Sequence, residues 1–158
     1  MANIPDWSFV ERALKGDRSL PDGRIESTDV HDWQALLDEL DARDWRLTAP
    51  DGTALANDAR SAAALLREDA PVTIAVWPTP ELQINLFVNG VDEILFDFDS
   101  DELDDAEDLA ALCTFVEALG RSTGKPVKLS HEGARELVFL TYDPATRAFA
   151  TIDLFDRS

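Results

Sequence analysis

Residues 72–99 read VTIAVWPTPELQINLFVNGVDEILFDFD, and the period of their apolar residues decides the fold. Apolar and polar residues alternate over 72–77, 81–88 and 93–99, which predicts three successive strands joined by short connections. Parity constrains the second connection. A two-residue Asn89-Gly90 turn would set Leu86 opposite Glu93 and Leu82 opposite Asp97, placing acids among the apolar residues. A loop of odd length, such as Val88-Asn89-Gly90 with a bulge, instead puts Leu82, Ile84 and Leu86 on one face with Ile94, Phe96 and Phe98. The odd loop is expected, because a slip of one residue would exchange the buried and exposed faces along the whole strand.

Upstream of the strands the period is helical. A first helix over about 6–15 carries Trp7, Val10 and Leu14 and stops at Lys15-Gly16. A turn-rich connection containing Pro21-Asp22-Gly23 follows. A second helix, capped by Ser27 or Thr28, aligns Val30, Trp33, Leu36, Leu37 and Leu40 on one face and ends near Asp41. Trp45 and Leu47 alternate in a short strand that leads into a Pro50-Asp51-Gly52 turn, and Asn57 is expected to cap a short Ala/Leu helix reaching about Arg67.

Downstream, residues 104–119 predict a helix with Leu109, Leu112, Phe115, Val116 and Leu119 inward and Gly120 past its end. Pro126 opens a strand, VKLS, and 136–142 with 147–154 form a hairpin around Asp143-Pro144. Short loops between successive strands favour an antiparallel sheet over a βαβ array. The expected class is therefore α+β, one domain over residues 1–158 with a mainly antiparallel sheet flanked by helices.

A chain of 158 residues is long enough to bury about two thirds of its unfolded surface. With 45% apolar residues, a net charge of −18 does not imply disorder. That charge is localised. Residues 68–120 contain no Lys or Arg and hold fourteen of the 32 acids, leaving the rest of the chain, with 18 acids and 14 bases, near balance. Such a segment points to one surface with a strong negative field, which repels nucleic acid and anionic membranes and attracts cationic partners. Direct nucleic-acid or membrane binding is not expected. The lone Cys113, inside a helical pattern, reads as a small buried hydrophobe. The N-terminal MANIPDWSFVERALK lacks a basic start followed by an apolar run, so a cytoplasmic location is expected.

Ten acids crowd residues 92–108. Asp104, Asp105, Glu107 and Asp108 fall at the start of the last predicted helix, where its dipole stabilises negative charge. The strand acids need another reason. With Ile94, Phe96 and Phe98 inward, Glu93, Leu95, Asp97 and Asp99 line the opposite face beside Gln83, Asn85 and Phe87. Carboxylates around an apolar pair resemble a binding patch, whose candidate partner-binding residues are Asn85, Phe87, Glu93, Leu95, Asp97, Asp99 and Asp101. The alternatives are a solvated outer face or one partly covered by a helix.

Asp97-Phe-Asp99-Ser-Asp101 copies the first three ligand positions of a calcium loop, with Asp108 where the last carboxylate would stand. Glu102 occupies the position that needs Gly for the sharp turn, so no metal site is assigned and no cofactor is expected. Short Asp/Glu patterns recur by chance in so acidic a chain, and His31-Asp32 and His131-Glu132 complete no nucleophile–base set. No catalytic residues are assigned.

INLFVNGVDEILFDFDSDEL (84–103), LAALCTFVEALGRSTGKPVKLSHEG (109–133) and LVFLTYDPATRAF (137–149) together resemble the small acidic immunity proteins encoded beside bacterial polymorphic toxins. The resemblance covers about half the chain. It implies a non-enzymatic α+β protein that binds a cognate toxin domain and occludes or distorts its active site, many such targets being cationic nucleases. The competing readings are another acidic adaptor or nucleic-acid mimic, and a divalent-metal or hydrolytic protein centred on Asp97, Asp99 and Asp101.

Overall fold

A computed structural model describes residues 3–14, 19–56 and 58–153. Its elements in chain order are α1 (Trp7–Leu14), β1 (Asp22–Glu26), α2 (Val30–Ala42), β2 (Arg46–Thr48), α3 (Ala62–Leu66), β3 (Val72–Thr79), β4 (Leu82–Val88), β5 (Glu93–Phe98), α4 (Ala106–Thr123), β6 (Val127–Ser130), β7 (Val138–Asp143) and β8 (Ala148–Thr151). A 3₁₀ turn, Ser100–Glu102, lies between β5 and α4. All eight strands join one antiparallel sheet in the order β2-β3-β4-β5-β1-β6-β7-β8. The class is α+β, as the strand pattern required. Among the described residues no helix is long and apolar enough to cross a membrane.

One face of the sheet carries the core. Leu82, Ile84, Leu86 and Val88 of β4 and Ile94, Phe96 and Phe98 of β5 are all buried. Helix α4 crosses this face, and α2 packs on α4. Phe115 of α4 meets Phe96 edge-on at 5.2 Å and Trp45 at 6.0 Å, tying the helix to the middle of the sheet and to its β2 end.

The parity expected for β4 and β5 holds, since Leu86 faces Phe96 and Ile84 faces Phe98. The connection is four residues, 89–92, against the expected three, and the pairing of the two strands starts only at Phe87 and Leu95. Tertiary bonds hold it open. Trp33 Nε1 on α2 donates to the Gly90 carbonyl at 2.9 Å, Thr28 Oγ1 donates to the Val91 carbonyl at 2.7 Å, and Thr28 N donates to the Asp92 carbonyl at 3.2 Å. A tight turn would forfeit all three.

The largest correction is β1. The Pro21-Asp22-Gly23 stretch, expected to be a turn, opens a strand at the centre of the sheet, joining the β2–β5 half to the β6–β8 half. Gly23 stands opposite Phe96, and a Cβ there would lie 2.0 Å from Phe96 Cζ, so the ring rests directly on the glycine backbone.

Helix ends shift for local reasons. The cap of α2 is Asp29, not Ser27 or Thr28: Asp29 Oδ1 accepts from Asp32 N while Asp32 Oδ2 accepts from Asp29 N, each at 3.0 Å. Ser27 has φ +59° and Thr28 is committed to the loop after β4. Val30 is exposed, outside the buried stripe of Trp33, Leu36, Leu37 and Leu40. Helix α3 is capped by Ser61, whose Oγ accepts from Ala64 N; Asn57, like Lys15-Gly16, lies outside the described residues. Helix α4 continues past Gly120 to Gly124, a left-handed C-cap with φ +69°. Gly120 is instead buried inside the helix under the Tyr142 ring, where a Cβ would lie 2.5 Å from Cδ2. The turn at residues 49–52 forms as expected, closed by Gly52 N donating to the Ala49 carbonyl.

Candidate functional site on the second sheet face

The face of the sheet opposite α4 is built in rows by strand register. One row runs Thr48, Ala75, Asn85, Asp97, Asp22, Ser130; the next runs Thr73, Phe87, Leu95, Arg24, Lys128, Thr141. Thus Asn85, Phe87, Glu93, Leu95 and Asp97, five of the seven residues expected to form a partner surface, share one face of β4 and β5. All five are partly exposed. The other two sit at its rim. Asp99 follows the strand and accepts from Asp101 N at 2.9 Å, capping the 3₁₀ turn, and Asp101 is exposed on that turn.

The face divides into two halves. Over β1 and β6 it is covered by a loop, residues 131–137. Gly133 N donates to Asp22 Oδ2 at 3.3 Å, Arg24 Nη2 donates to the Arg135 carbonyl at 3.1 Å, and Arg135 grips Glu93 with both guanidinium nitrogens. Arg24, 8% exposed, also pairs with Glu26 at 3.0 Å and donates to Ser130 Oγ at 3.3 Å, while Lys128 reaches Glu26 at 3.1 Å. The Glu93 carboxylate is therefore neutralised within the protein. Its cation comes from a loop 42 residues away in sequence, beyond the reach of any local pattern.

Over β4 and β5 the face stays uncovered by that loop, whereas Ala75 and Thr48 in the same row are buried, and a polar chain crosses it toward one carboxylate. Gln83 Nε2 donates to the Pro50 carbonyl at 2.9 Å and to Asn85 Oδ1 at 2.8 Å, and Asn85 Nδ2 donates to Asp97 Oδ1 at 3.0 Å. Trp77 Nε1 donates to Thr48 Oγ1 at 2.9 Å, and Arg46 lies 5.5 Å over the Trp77 ring. Phe87 and Leu95, direct cross-strand partners, form the apolar centre beside Asp97. The sequence reading omitted Trp77, Arg46 and Asp22 from this surface.

Asp97 is placed at a cost to the fold. Its direct partner on β1 is Asp22, and like charges directly opposed across a ladder are destabilising. Burial pushes the Asp97 carboxyl above its ordinary range; the Asn85 hydrogen bond pulls it back, and the charges of Asp22 and Glu132 push it up again. Among the described residues neither Asp97 nor Asp22 joins an ion pair. A carboxyl whose folded pKa is raised lowers stability when ionised, and this loss disappears as pH falls through the raised value. Asp97→Asn keeps an oxygen for Asn85 and removes the charge. It is expected to raise Tm by about 2 °C at pH 7, on the order of 0.5 kcal/mol, and to give no gain near pH 3; thermal melts at the two pH values check this.

Glu102 behaves similarly at the rim: burial raises its carboxyl, the Gln83 N–H bond at 2.9 Å lowers it, and Asp99 raises it. The other acids of the segment serve helix α4, where Asp105 Oδ1 accepts from Asp108 N as the N-cap and Asp108 Oδ2 accepts from Asp104 N. The calcium-loop spacing does not gather its carboxylates, and among the described residues no group of three or more His, Cys, Asp or Glu side chains is placed to hold a metal ion. Cys113 is buried and its thiol is pushed up to about 12, mainly by burial.

A separate cleft of about 260 Å³ lies against α1, lined by Phe9, Arg12, Ala13, His131, Phe139, Ile152 and Asp153. His131 Nε2 is buried there without a hydrogen-bond partner among the described residues, and its ring packs on Phe139 at 5.1 Å. Comparison with protein-family models, with curated proteins and with solved structures finds no match.

Proposed function

We propose that this chain is an immunity-type inhibitor: a non-enzymatic protein that binds a cationic toxin domain through the open half of the second sheet face. The observation that supports this reading best is the position of Asp97. A half-buried carboxylate facing Asp22, held by one neutral amide and adjacent to Phe87 and Leu95, lowers the stability of the isolated protein. A cationic side chain from a partner would relieve that repulsion on docking, so the same placement that weakens the fold strengthens the complex.

The other features suit the task. Phe87, Leu95 and Trp77 offer apolar area for a desolvated centre, and the net negative charge of the segment, with Asp99 and Asp101 at the rim, steers a basic partner from a distance. Steered association reaches ~10⁸ M⁻¹s⁻¹ or more at low salt, which benefits an inhibitor that must capture a toxin before it acts. The pairing of Glu93 with Arg135 narrows the proposed contact set to Asn85, Phe87, Leu95 and Asp97, with Asp99 and Asp101 contributing field.

Co-expression of this chain with the protein encoded next to it tests the proposal. Protection of the host against that neighbour's toxicity is the expected result. A neighbour that binds without being toxic would support an acidic adaptor or nucleic-acid mimic instead. Absence of both protection and binding would remove the inhibitor reading.

A further inference from the structure

Among the described residues β2 and β8 form the two edges of the sheet, and they are protected unequally. β2 has three residues, includes the charged Arg46 and runs at once into the turn at 49–52. β8, at the other end, reads Ala148-Phe149-Ala150-Thr151 and is followed by Ile152, with no charge and no proline over five residues. Ala148, Ala150, Thr151 and Ile152 are exposed; Phe149 packs on Tyr142 at 4.9 Å. Edges of this kind are normally blunted by charge, proline or a covering segment.

The hydrogen-bond phase of the edge is fixed. Ile152 N donates to the Phe139 carbonyl at 2.9 Å, pointing inward to β7. In an antiparallel ladder the two backbone groups of a residue point the same way and successive residues alternate, so Ala150 and Ala148 also point inward. Phe149 and Thr151 therefore direct their N–H and C=O groups outward, where β7 cannot reach them.

We propose that β8 pairs antiparallel with β8 of a second copy about a two-fold axis through Ala150. In that register Phe149 of each copy exchanges both backbone bonds with Thr151 of the other, so all outward groups of both residues are satisfied. Ala150 faces its own equivalent and Ala148 faces Ile152. Centring on Phe149 would set Thr151 against Arg147, a turn residue with φ +55°, and centring on Thr151 would set Phe149 against Asp153, beyond the end of the strand. Only the axis at Ala150 pairs both outward residues within β8. The small exposed side chains of Ala148 and Ala150 let a second strand approach at the usual ~4.8 Å without a clash.

β8 is separated from the acidic β5 by β1, β6 and β7, so the pairing leaves the proposed toxin face open. A four-residue edge buries far less than the roughly 1,200 Å² of a stable interface, so the dimer is weak. Each copy carries a net charge of −18, so the dimer tightens as salt screens their repulsion. Toxin binding through the acidic face has the opposite salt dependence, which keeps the two associations distinguishable.

Ala150→Cys tests the register. Non-hydrogen-bonded antiparallel partners sit about 4.5 Å apart at Cα, within disulfide range, and the native Cys113 is buried and unreactive. Mild oxidation is expected to give a symmetric linked dimer from Ala150→Cys and none from the parent chain. In sedimentation at ~0.5 M salt, the parent is expected to dimerise with rising concentration, and Thr151→Pro to remain monomeric with an unchanged thermal melt. A parent that stays monomeric at ~1 mM, or an Ala150→Cys chain that forms no linked dimer, overturns the pairing.

Discussion

Replacing Gly23 with alanine is expected to lower Tm by roughly 10 °C, corresponding to a loss of about 3 kcal/mol. The added methyl would lie 2.0 to 2.4 Å from Cζ and both Cε atoms of Phe96, far inside contact distance. The ring has little room to withdraw, because it is 1% exposed and packs edge-on against Phe115 of α4. Either Phe96 leaves its rotamer and disturbs α4, or β1 separates from β5. The second route is worse, since β1 alone connects the two halves of the sheet. Phe96→Ala should itself be destabilising, but adding Gly23→Ala to it should cost little more, because the clash is gone. Denaturation of the two single variants and the double variant gives the coupling. A Gly23→Ala protein within about 2 °C of the parent would place the ring elsewhere.

Asp97→Lys is expected to weaken binding of the toxin partner by about 100-fold or more while leaving the fold intact. Reversal of a charge near the centre of an interface typically costs 2–5 kcal/mol, and 1.4 kcal/mol is a factor of ten. The substitution suits the structure of the free protein, because the new ammonium group would face Asp22 and turn a like-charge pair into an opposite one. Neighbouring positions are poorer probes. Asp99→Lys would remove the cap of the 3₁₀ turn, and Glu93→Lys would strand Arg135. Asp69→Lys changes the net charge by the same amount at an exposed site outside the patch, so it controls for the general field, and its effect should stay within about threefold. Comparison of association and dissociation rates for the two variants separates contact from steering.

The strands of the acidic half were legible in the sequence because period-2 alternation over 72–99 is local and long. The parity argument worked for the same reason: only one face of β4 and β5 could be buried. β1 was illegible. DGRIE holds one apolar residue, begins with a turn-favouring Asp-Gly pair and becomes a strand only because Phe96, 73 positions later, covers its glycine. The length of the loop after β4 was hidden too, since Trp33 and Thr28 fix it from another element. The α2 cap carried a signal that could have been used: Asp29-Val-His-Asp32 places an acid at both capping-box positions.

The candidate site was legible in part. Alternation grouped Asn85, Phe87, Glu93, Leu95 and Asp97, and the register places these on one face. What lay beyond sequence was the far side of the patch. Arg24, Lys128 and Arg135 come from β1, β6 and the loop after it, so the neutralisation of Glu93 and the exposure of Asp97 to Asp22 arise only once those strands assemble. A stretch without bases in sequence does not stay without them in three dimensions.

Paired capture with the parent chain and Asp97→Lys as baits, each co-expressed with the adjacent gene and washed at low and at moderate salt, tests the central proposal most directly. The expected result is one basic, neighbour-encoded protein retained by the parent, released as salt rises and absent from the Asp97→Lys bait. Equal retention by both baits would move the site off this face, and no retention by the parent at either salt would contradict an acidic inhibitor of a cationic toxin.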